Sequence, residues 1–198
     1  MCGVIGLIGD KPVMHDLVFG MTALQHRGQD AAGVVVFNEN SHFIKKSKGL
    51  VNDVFNTPDE INGCIGIGHT RYPTAGSDAE NETQPFLANA SHKIATAHNG
   101  NLTNYKEIKN KLLKKGIFLE STCDAEVINK ILAYEIETKK SYFEAVENLM
   151  ERIEGSYSVI AAVGNGSIIA FRDPNGFRPL VIGEKDGGIC VASESIVF

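Results

Sequence analysis

Gly33-Val34-Val35-Val36-Phe37, then Asn38-Glu39-Asn40, then Ser41 to Lys46, reads as two strands folded back on each other across a polar turn. Upstream, Leu17, Val18, Met21 and Leu24 recur at helical spacing within residues 14–25, and predict a helix that stops near Gly28. Residues 3–8 (GVIGLI) form a short apolar, strand-like run. Downstream, strands are predicted at 64–69 and 93–98. Asn104 and Glu107 resemble a capping box that opens a helix through Ile108 and Leu112, ending at Gly116. Residues 122–138, with Val127, Ile128, Ile131, Leu132 and Tyr134, predict a longer amphipathic helix. Phe143, Val146, Met150 and Ile153 predict a third, closed by Gly155. Residues 156–192 read as three or four strands with glycine-rich turns, the clearest being Asp173-Pro174-Asn175-Gly176 between IIAF and RPLVIG. Strands thus gather at both ends with helix between them. An α+β layered domain with antiparallel sheets fits that order better than a doubly wound parallel sheet.

At 198 residues the chain fits one domain with a well-buried core. Its hydrophobic share of 43% and charged share of 22% are those of an ordinary globular protein. A formal net charge of −5 leaves no basic surplus to argue for nucleic acid. No apolar run approaches the length of a membrane span. The start, MCGVIGLIGDKP, has no positive leading region and does not read as a signal peptide. Cys2, Cys64, Cys123 and Cys190 lie far apart, with no CxxC pair for zinc or redox work. Reduced thiols in a cytoplasmic protein are the expectation.

Cysteine at position 2 is small enough for the initiator methionine to be cleaved, which would leave Cys2 as the first residue. Such a residue carries both a nucleophile and a base. Its α-amino group has a reference pKa of about 7.7–8.0, against about 8.5 for the thiol, so the amine can take the thiol proton near neutral pH. No histidine partner is then required. Gly3 beside it is expected to keep a side chain away from the attacking sulfur. A cysteine after the first methionine is, by itself, weak evidence.

The surroundings add to it. Met1-Cys2-Gly3-Val4-Ile5-Gly6, followed by Gln25-His26-Arg27-Gly28-Gln29-Asp30-Ala31-Ala32-Gly33, resembles the glutaminase domain of the amidophosphoribosyltransferase family. The same pattern returns in Gly68-His69-Thr70-Arg71-Tyr72-Pro73-Thr74, His98-Asn99-Gly100-Asn101-Leu102, Thr122-Cys123-Asp124-Ala125-Glu126 and Phe171-Arg172-Asp173-Pro174-Asn175-Gly176. These stretches stand in the family's order and cover essentially the whole chain. The resemblance places residues 1–198 as one type-2 glutamine amidotransferase domain. It implies an N-terminal-nucleophile hydrolase fold, a four-layer αββα sandwich with antiparallel sheets. Within the wider class, QHRGQDAAG and FRDPNG look like the purine-pathway member, a glycosyltransferase.

The resemblance also implies roles. Cys2 is the nucleophile, forming a thioester with glutamine. Arg71 is similar to the arginine that holds the α-carboxylate, a task suited to a planar guanidinium, although most arginines end in surface ion pairs. Asp124 looks like the aspartate that receives the α-ammonium. It also opens a predicted helix, where capping and the helix dipole explain an aspartate unaided. Asn99, through its side-chain amide, and Gly100, through its backbone N–H, form the implied oxyanion hole, while Asn-Gly is otherwise the most ordinary of turn dipeptides. Arg27 is expected to order the loop around the nucleophile and Thr74 to line the glutamine pocket. Tyr72 is expected on a loop closing over glutamine, or simply packed. His15, His42 and His92 read as solvent-facing, and His26 and His98 as hydrogen-bonded structural residues. Cys64 and Cys190 sit in apolar strand-like runs and read as buried, inert thiols, while Cys123 falls near the site.

In the family a phosphoribosyltransferase domain follows, with Mg2+ and phosphoribosyl pyrophosphate, and the full-length protein is expected to be a homo-oligomer. No strand leading to an acidic, hydroxyl- and glycine-rich loop of that kind is present, so the domain is expected outside residues 1–198. The apolar end at Ile196-Val197-Phe198 reads as a truncation, and Met1-Cys2 at the start as a chain without a propeptide. The resemblance implies no cofactor in residues 1–198 and is silent on an iron–sulfur cluster. Its expected reaction is glutamine hydrolysis, the ammonia passing to phosphoribosyl pyrophosphate in the first committed step of purine nucleotide synthesis. Two other readings stay open: ammonia for another acceptor, as in glucosamine phosphate, asparagine or glutamate synthesis, or a non-catalytic glutamine-binding domain.

Overall fold

The structure, a computed structural model, describes residues 1–39, 41–56, 60–72, 80–139, 141–185 and 187–198. The opening hairpin is there: β2 (Ala31–Phe37) pairs antiparallel with β3 (His42–Lys48), Val35 facing Ile44 across the ladder. β2 is apolar at successive positions because both of its faces are covered. Ala32, Val34 and Val36 pack under α1 (Met14–Ala23) against Leu17, Met21 and Leu24. Val35 and Phe37 point the other way, into a second core with Ile67, Ala97 and Ile160. Fully burying one such aliphatic side chain contributes about 1.5–3 kcal/mol, so each α1 residue holding that face matters.

β1 (Gly3–Ile8) lies at the middle of this first sheet, between β4 (Ile65–Arg71) and β10 (Gly188–Ala192). The strand order is β3-β2-β4-β1-β10-β9, with β9 spanning Val181–Lys185. The second sheet runs β5-β6-β7-β8: Phe86–Ala88, Ile94–Leu102, Gly155–Val163 and Ser167–Arg172. Its outer face is covered by α3 (Tyr105–Lys114), α4 (Asp124–Thr138) and α5 (Tyr142–Met150), through Ile108, Val127, Ile131 and Leu149. A single-turn helix, α2 (Val51–Val54), joins α1 on the other side. Helices, sheet, sheet and helices make the four-layer αββα sandwich that the resemblance implied, with antiparallel pairing throughout the described ladders.

Four local readings change. Asn104 does not cap α3 with its side chain; the amide donates to Arg152 O at 2.9 Å and accepts from Glu154 N–H at 3.0 Å, tying α3 to the end of α5. The other end of α3 is as read, for Gly116 takes φ +76° and Ile117 N–H returns to Leu112 O. α5 stops at Met150, because Gly155 already begins β7. β6 continues past residue 98 to Leu102, so Asn99-Gly100 is strand, paired with Ser158 and Tyr157, and not a turn. The turn at Asp173-Pro174-Asn175-Gly176 joins no hairpin: β8 belongs to the second sheet and β9 to the first, so the turn carries the chain between layers.

Asp173 holds that crossing together. Its buried carboxylate accepts from the N–H groups of Tyr157, Asn175 and Phe177. Burial works to raise its pKa, and these N–H groups outweigh burial and hold it below the usual carboxylate range. A depressed folded value gives stability that is present above the unfolded pKa of about 3.9 and is lost as pH falls through the folded one. Asp173→Asn should therefore lower unfolding free energy by about 1–3 kcal/mol at neutral pH, with the gap from wild type closing in acid. Urea titrations at pH 7 and near pH 3 measure this, and a gap that stays constant would contradict the assignment.

Candidate active site

Cys2 sits one residue ahead of β1, where Gly3 pairs with Thr70. Its Sγ accepts the Tyr72 N–H at 3.4 Å and lies 3.6 Å from Tyr72 O. Burial pushes the Cys2 thiol up, opposed by the Tyr72 backbone, the N-terminal charge and Arg71. A thiol in this setting keeps its proton at neutral pH and needs a base beside it to attack. Met1 is 54% exposed, so its removal uncovers no core. Gly3 has a different reason from the one expected: a Cβ there would meet Thr70 Oγ1 at 2.5 Å and Leu24 Cβ at 3.0 Å, so it lets β1 close onto β4 and α1.

A cavity of about 760 Å³ opens beside Sγ, between the ends of β4 and β6 and the starts of α3 and α4. Arg71, Tyr72, Gly100 and Asp124 line it with Cys2. Arg71 is the last residue of β4 and buried, giving Nη1 to Asp30 Oδ2 at 3.0 Å. Tyr72 is 54% exposed rather than packed. Asp124 is the first residue of α4, an acidic group in its first turn, and its carboxyl also reaches beyond the helix. It turns back onto β6, where Oδ2 accepts from Leu102 N–H at 2.9 Å and Oδ1 faces His98 Nδ1 at 3.3 Å. Burial alone would raise its pKa, but His98 and the N–H groups of Leu102 and Ala125 hold the carboxyl low and charged.

Asn99 is buried in β6 next to these residues, and its Nδ2 has no hydrogen-bond partner among the described residues. An unsatisfied buried donor is costly, so an acceptor oxygen placed against it would be favoured. Gly100 lines the cavity itself; a Cβ there would lie 2.0 Å from Ser156 O, so no other residue fits the strand at that point. Arg27 stands on the far side of the nucleophile, donating Nε–H to Cys2 O at 2.9 Å. Thr74 lies outside the described residues.

Some residues at the site carried no readable signal. Glu82 accepts from Thr122 N–H at 2.7 Å and from Thr122 Oγ1 at 2.9 Å, and both line the cavity. Gln84 brackets the His98 backbone, accepting its N–H at 2.7 Å and donating to its carbonyl at 3.2 Å. His98 itself, read as structural, has its ring in the cavity wall against Asp124. His69 donates through Nε2 to His98 O at 3.2 Å and is pushed down to about 3 by burial, so it is neutral. His15 and His92 are exposed as read, and His42 is partly exposed. Cys190 is buried, but Cys64 is exposed, against expectation, because it precedes β4 rather than lying within it. Burial and then the Asp124 carboxylate push the Cys123 thiol far up, which leaves it a poor nucleophile.

Among the described residues, no group of three or more His, Cys, Asp or Glu side chains is placed to hold a metal ion. No helix among them is long and apolar enough to cross a membrane. What the cavity offers is a thiol, an arginine and a charged carboxylate around one space, with the Asn99 amide buried next to the Gly100 that lines it.

Comparison with known proteins gives this arrangement its context. A family model described as a glutamine amidotransferase domain matches residues 69–198. Amidophosphoribosyltransferase of Escherichia coli strain K12 is 42% identical, aligned over the whole chain and 42% of its own length. That of Schizosaccharomyces pombe is 38% identical over the whole chain and 40% of its length. Among solved structures, one described as the allosteric regulatory enzyme of purine biosynthesis superposes with a TM-score of 0.90 at 32% identity, covering the whole chain and 43% of that protein. The glutamine phosphoribosylpyrophosphate amidotransferase of B. subtilis, solved with ADP and GMP, gives 0.88 at 30% identity, again over the whole chain and 43% of that protein. The fold is thus the N-terminal-nucleophile hydrolase fold of these enzymes, and the chain spans about two fifths of the length of the relatives it matches.

Proposed function

Because this chain belongs to the glutamine amidotransferase domain family, we propose that it hydrolyses glutamine to glutamate and ammonia through a thioester on Cys2. The observation that carries this reading is one cavity that gathers Cys2, Arg71 and Asp124. Arg71 takes the α-carboxylate and Asp124 the α-ammonium, which leaves the side-chain amide to reach Sγ. Thr74 and Tyr72 complete the glutamine pocket.

With Met1 removed, the Cys2 α-amine takes the thiol proton, and sulfur attacks the side-chain amide carbon. The carbonyl π pair moves onto oxygen, where Asn99 Nδ2 and the Gly100 N–H hold it. When the C=O re-forms, the C–N bond breaks and the α-ammonium protonates the leaving nitrogen, which departs as ammonia. Water then adds to the thioester as the amine takes its proton. Collapse breaks C–S, and the thiol recovers its hydrogen as glutamate leaves. Arg27, by gripping the Cys2 carbonyl, keeps the residue in line throughout.

The ammonia is destined, in this reading, for phosphoribosyl pyrophosphate, giving 5-phosphoribosylamine. The names of the matched relatives support it, since each is an amidophosphoribosyltransferase. That transfer, with Mg2+, would use a phosphoribosyltransferase domain outside residues 1–198, in a protein expected to be a cytoplasmic homo-oligomer. The experiment concerns the grip on the amino-acid end. Glutamine analogues lacking the α-amino or the α-carboxylate group should lose about a hundredfold or more in kcat/KM, because a charged contact with Asp124 or Arg71 that orients the amide toward Sγ would be missing. Comparable kcat/KM for either analogue would show that the site reads something else.

A further inference from the structure

Glu194 lies outside every stretch that carries the family resemblance, yet the fold brings it to the nucleophile. β10 ends at Ala192, and Ser193 prolongs its pairing with β1: Ser193 N–H donates to Val4 O at 2.9 Å, and Ser193 Oγ accepts from Val4 N–H at 3.0 Å. Glu194 is thereby fixed to the strand that Cys2 precedes. Its Oε1 pairs with Arg27 Nη1, and its Oε2 with His26 Nε2 at 3.1 Å. The Arg27 side chain is only 6% exposed, and its Nε–H ends on Cys2 O at 2.9 Å. Carboxylate, guanidinium and Cys2 carbonyl thus form one line of contacts.

A guanidinium is a rigid planar fork, so a carboxylate that holds one edge fixes the direction of the remaining N–H groups. Cys2 needs that direction fixed. It lies before the first ladder pair of β1, and the exposed Met1 ahead of it offers no anchor. We propose that Glu194 is a positioning residue for catalysis, holding Arg27 so that the Cys2 peptide, and with it the thiol and α-amine, points at the cavity. The Arg27 contact, with His26 adding to it, outweighs burial and keeps the Glu194 carboxyl below the usual carboxylate range, so the grip stays charged at neutral pH. The inference rests on Cys2 being the nucleophile.

The test uses the intact protein, the single variants Glu194→Gln, Glu194→Asp and Arg27→Lys, and the double variant of Glu194→Gln with Arg27→Lys. Glu194→Gln should lower kcat for glutamine hydrolysis by about ten- to a hundredfold, the scale of a small misplacement of a reacting group. KM should hardly move, because Arg71 and Asp124 are untouched. The rate at which an electrophilic glutamine analogue alkylates Cys2 should fall with kcat, and Glu194→Asp should recover part of both. Arg27→Lys keeps the charge but loses the fork; it should match Glu194→Gln, and the double variant should be no worse than Arg27→Lys alone. Should Glu194→Gln not fold, the other two single variants carry the same comparison. A kcat per alkylatable site equal to wild type, with only the thermal midpoint lowered, would reduce Glu194 to a structural contact and overturn the proposal. A raised KM with unchanged kcat would do the same. A wild type that is inactive, or labelled on another cysteine, would instead sink the reading of Cys2 itself.

Discussion

Cys2→Ala should lose about a millionfold in glutamine hydrolysis, the order of loss that follows removal of a covalent nucleophile in other acyl-transfer enzymes. None of the other three cysteines is placed to replace it. Cys123 lines the same space, but burial and the Asp124 carboxylate keep its thiol protonated. Cys190 is buried under α1. Cys64 is exposed, though it precedes β4 at the end opposite Arg71, away from the carboxylate clamp. An electrophilic glutamine analogue should accordingly label Cys2, and peptide mapping should find Cys64 modified only by thiol reagents that carry no amino-acid end. Active protein should also lack Met1 by mass spectrometry, since the base in the mechanism is the amine which that cleavage frees. Ammonia release by Cys2→Ala, or full activity with Met1 retained, would refute the N-terminal-nucleophile mechanism.

Asn99→Ala should cost about a hundred- to a thousandfold in kcat, the price of one oxyanion donor. Among the described residues the buried Nδ2 of Asn99 has no partner, so truncation breaks none of their hydrogen bonds to that group. Its thermal midpoint should therefore stay close to that of wild type while hydrolysis falls. Alkylation of Cys2 by the glutamine analogue should persist, because that reaction develops less charge on the oxygen. Hydrolysis at the wild-type rate would mean that the oxyanion is held elsewhere. Collapse of the fold together with the activity would mean that the amide has a structural partner after all.

Much of this site was legible because its residues sit in short motifs whose types suit the chemistry. Cys2, Arg71, Asn99, Gly100 and Asp124 stand out along the chain, and the fold gathers Cys2, Arg71, Gly100 and Asp124 at one cavity, with Asn99 buried next to Gly100. Local preferences misled at Asn99-Gly100 and told only part of Asp124, because capping and turn statistics describe isolated segments. In the folded chain α4 starts against β6, so the Asp124 carboxylate meets Leu102 and His98 as well as Ala125 of its own first turn. β7 pairs across Asn99-Gly100 and turns a turn dipeptide into strand. Glu82, Gln84 and Glu194 were unreadable for a different reason: each acts through partners distant along the chain, among them Thr122, His98 and Arg27 respectively. The strand runs themselves were visible, but their order was not. Nothing in Ser167–Arg172 and Val181–Lys185 tells that they lie in different sheets.

That hidden order has a consequence for synthesis. β1 is the first strand made, yet one of its two neighbours is β10, paired from Ile5↔Ala192 to Ile8↔Ile189. Pairings this distant along a chain are slow to form, because loop closure must be completed before they contribute anything. The second sheet and its helices, Phe86 to Arg172, can assemble from neighbours while the ribosome is still at work. The first sheet cannot, since its central strand waits for a partner at the other end of the segment. The thiol therefore leaves the ribosome early and stays unmounted until Ser193 and Glu194 arrive, so assembly of the nucleophile is among the last events of folding.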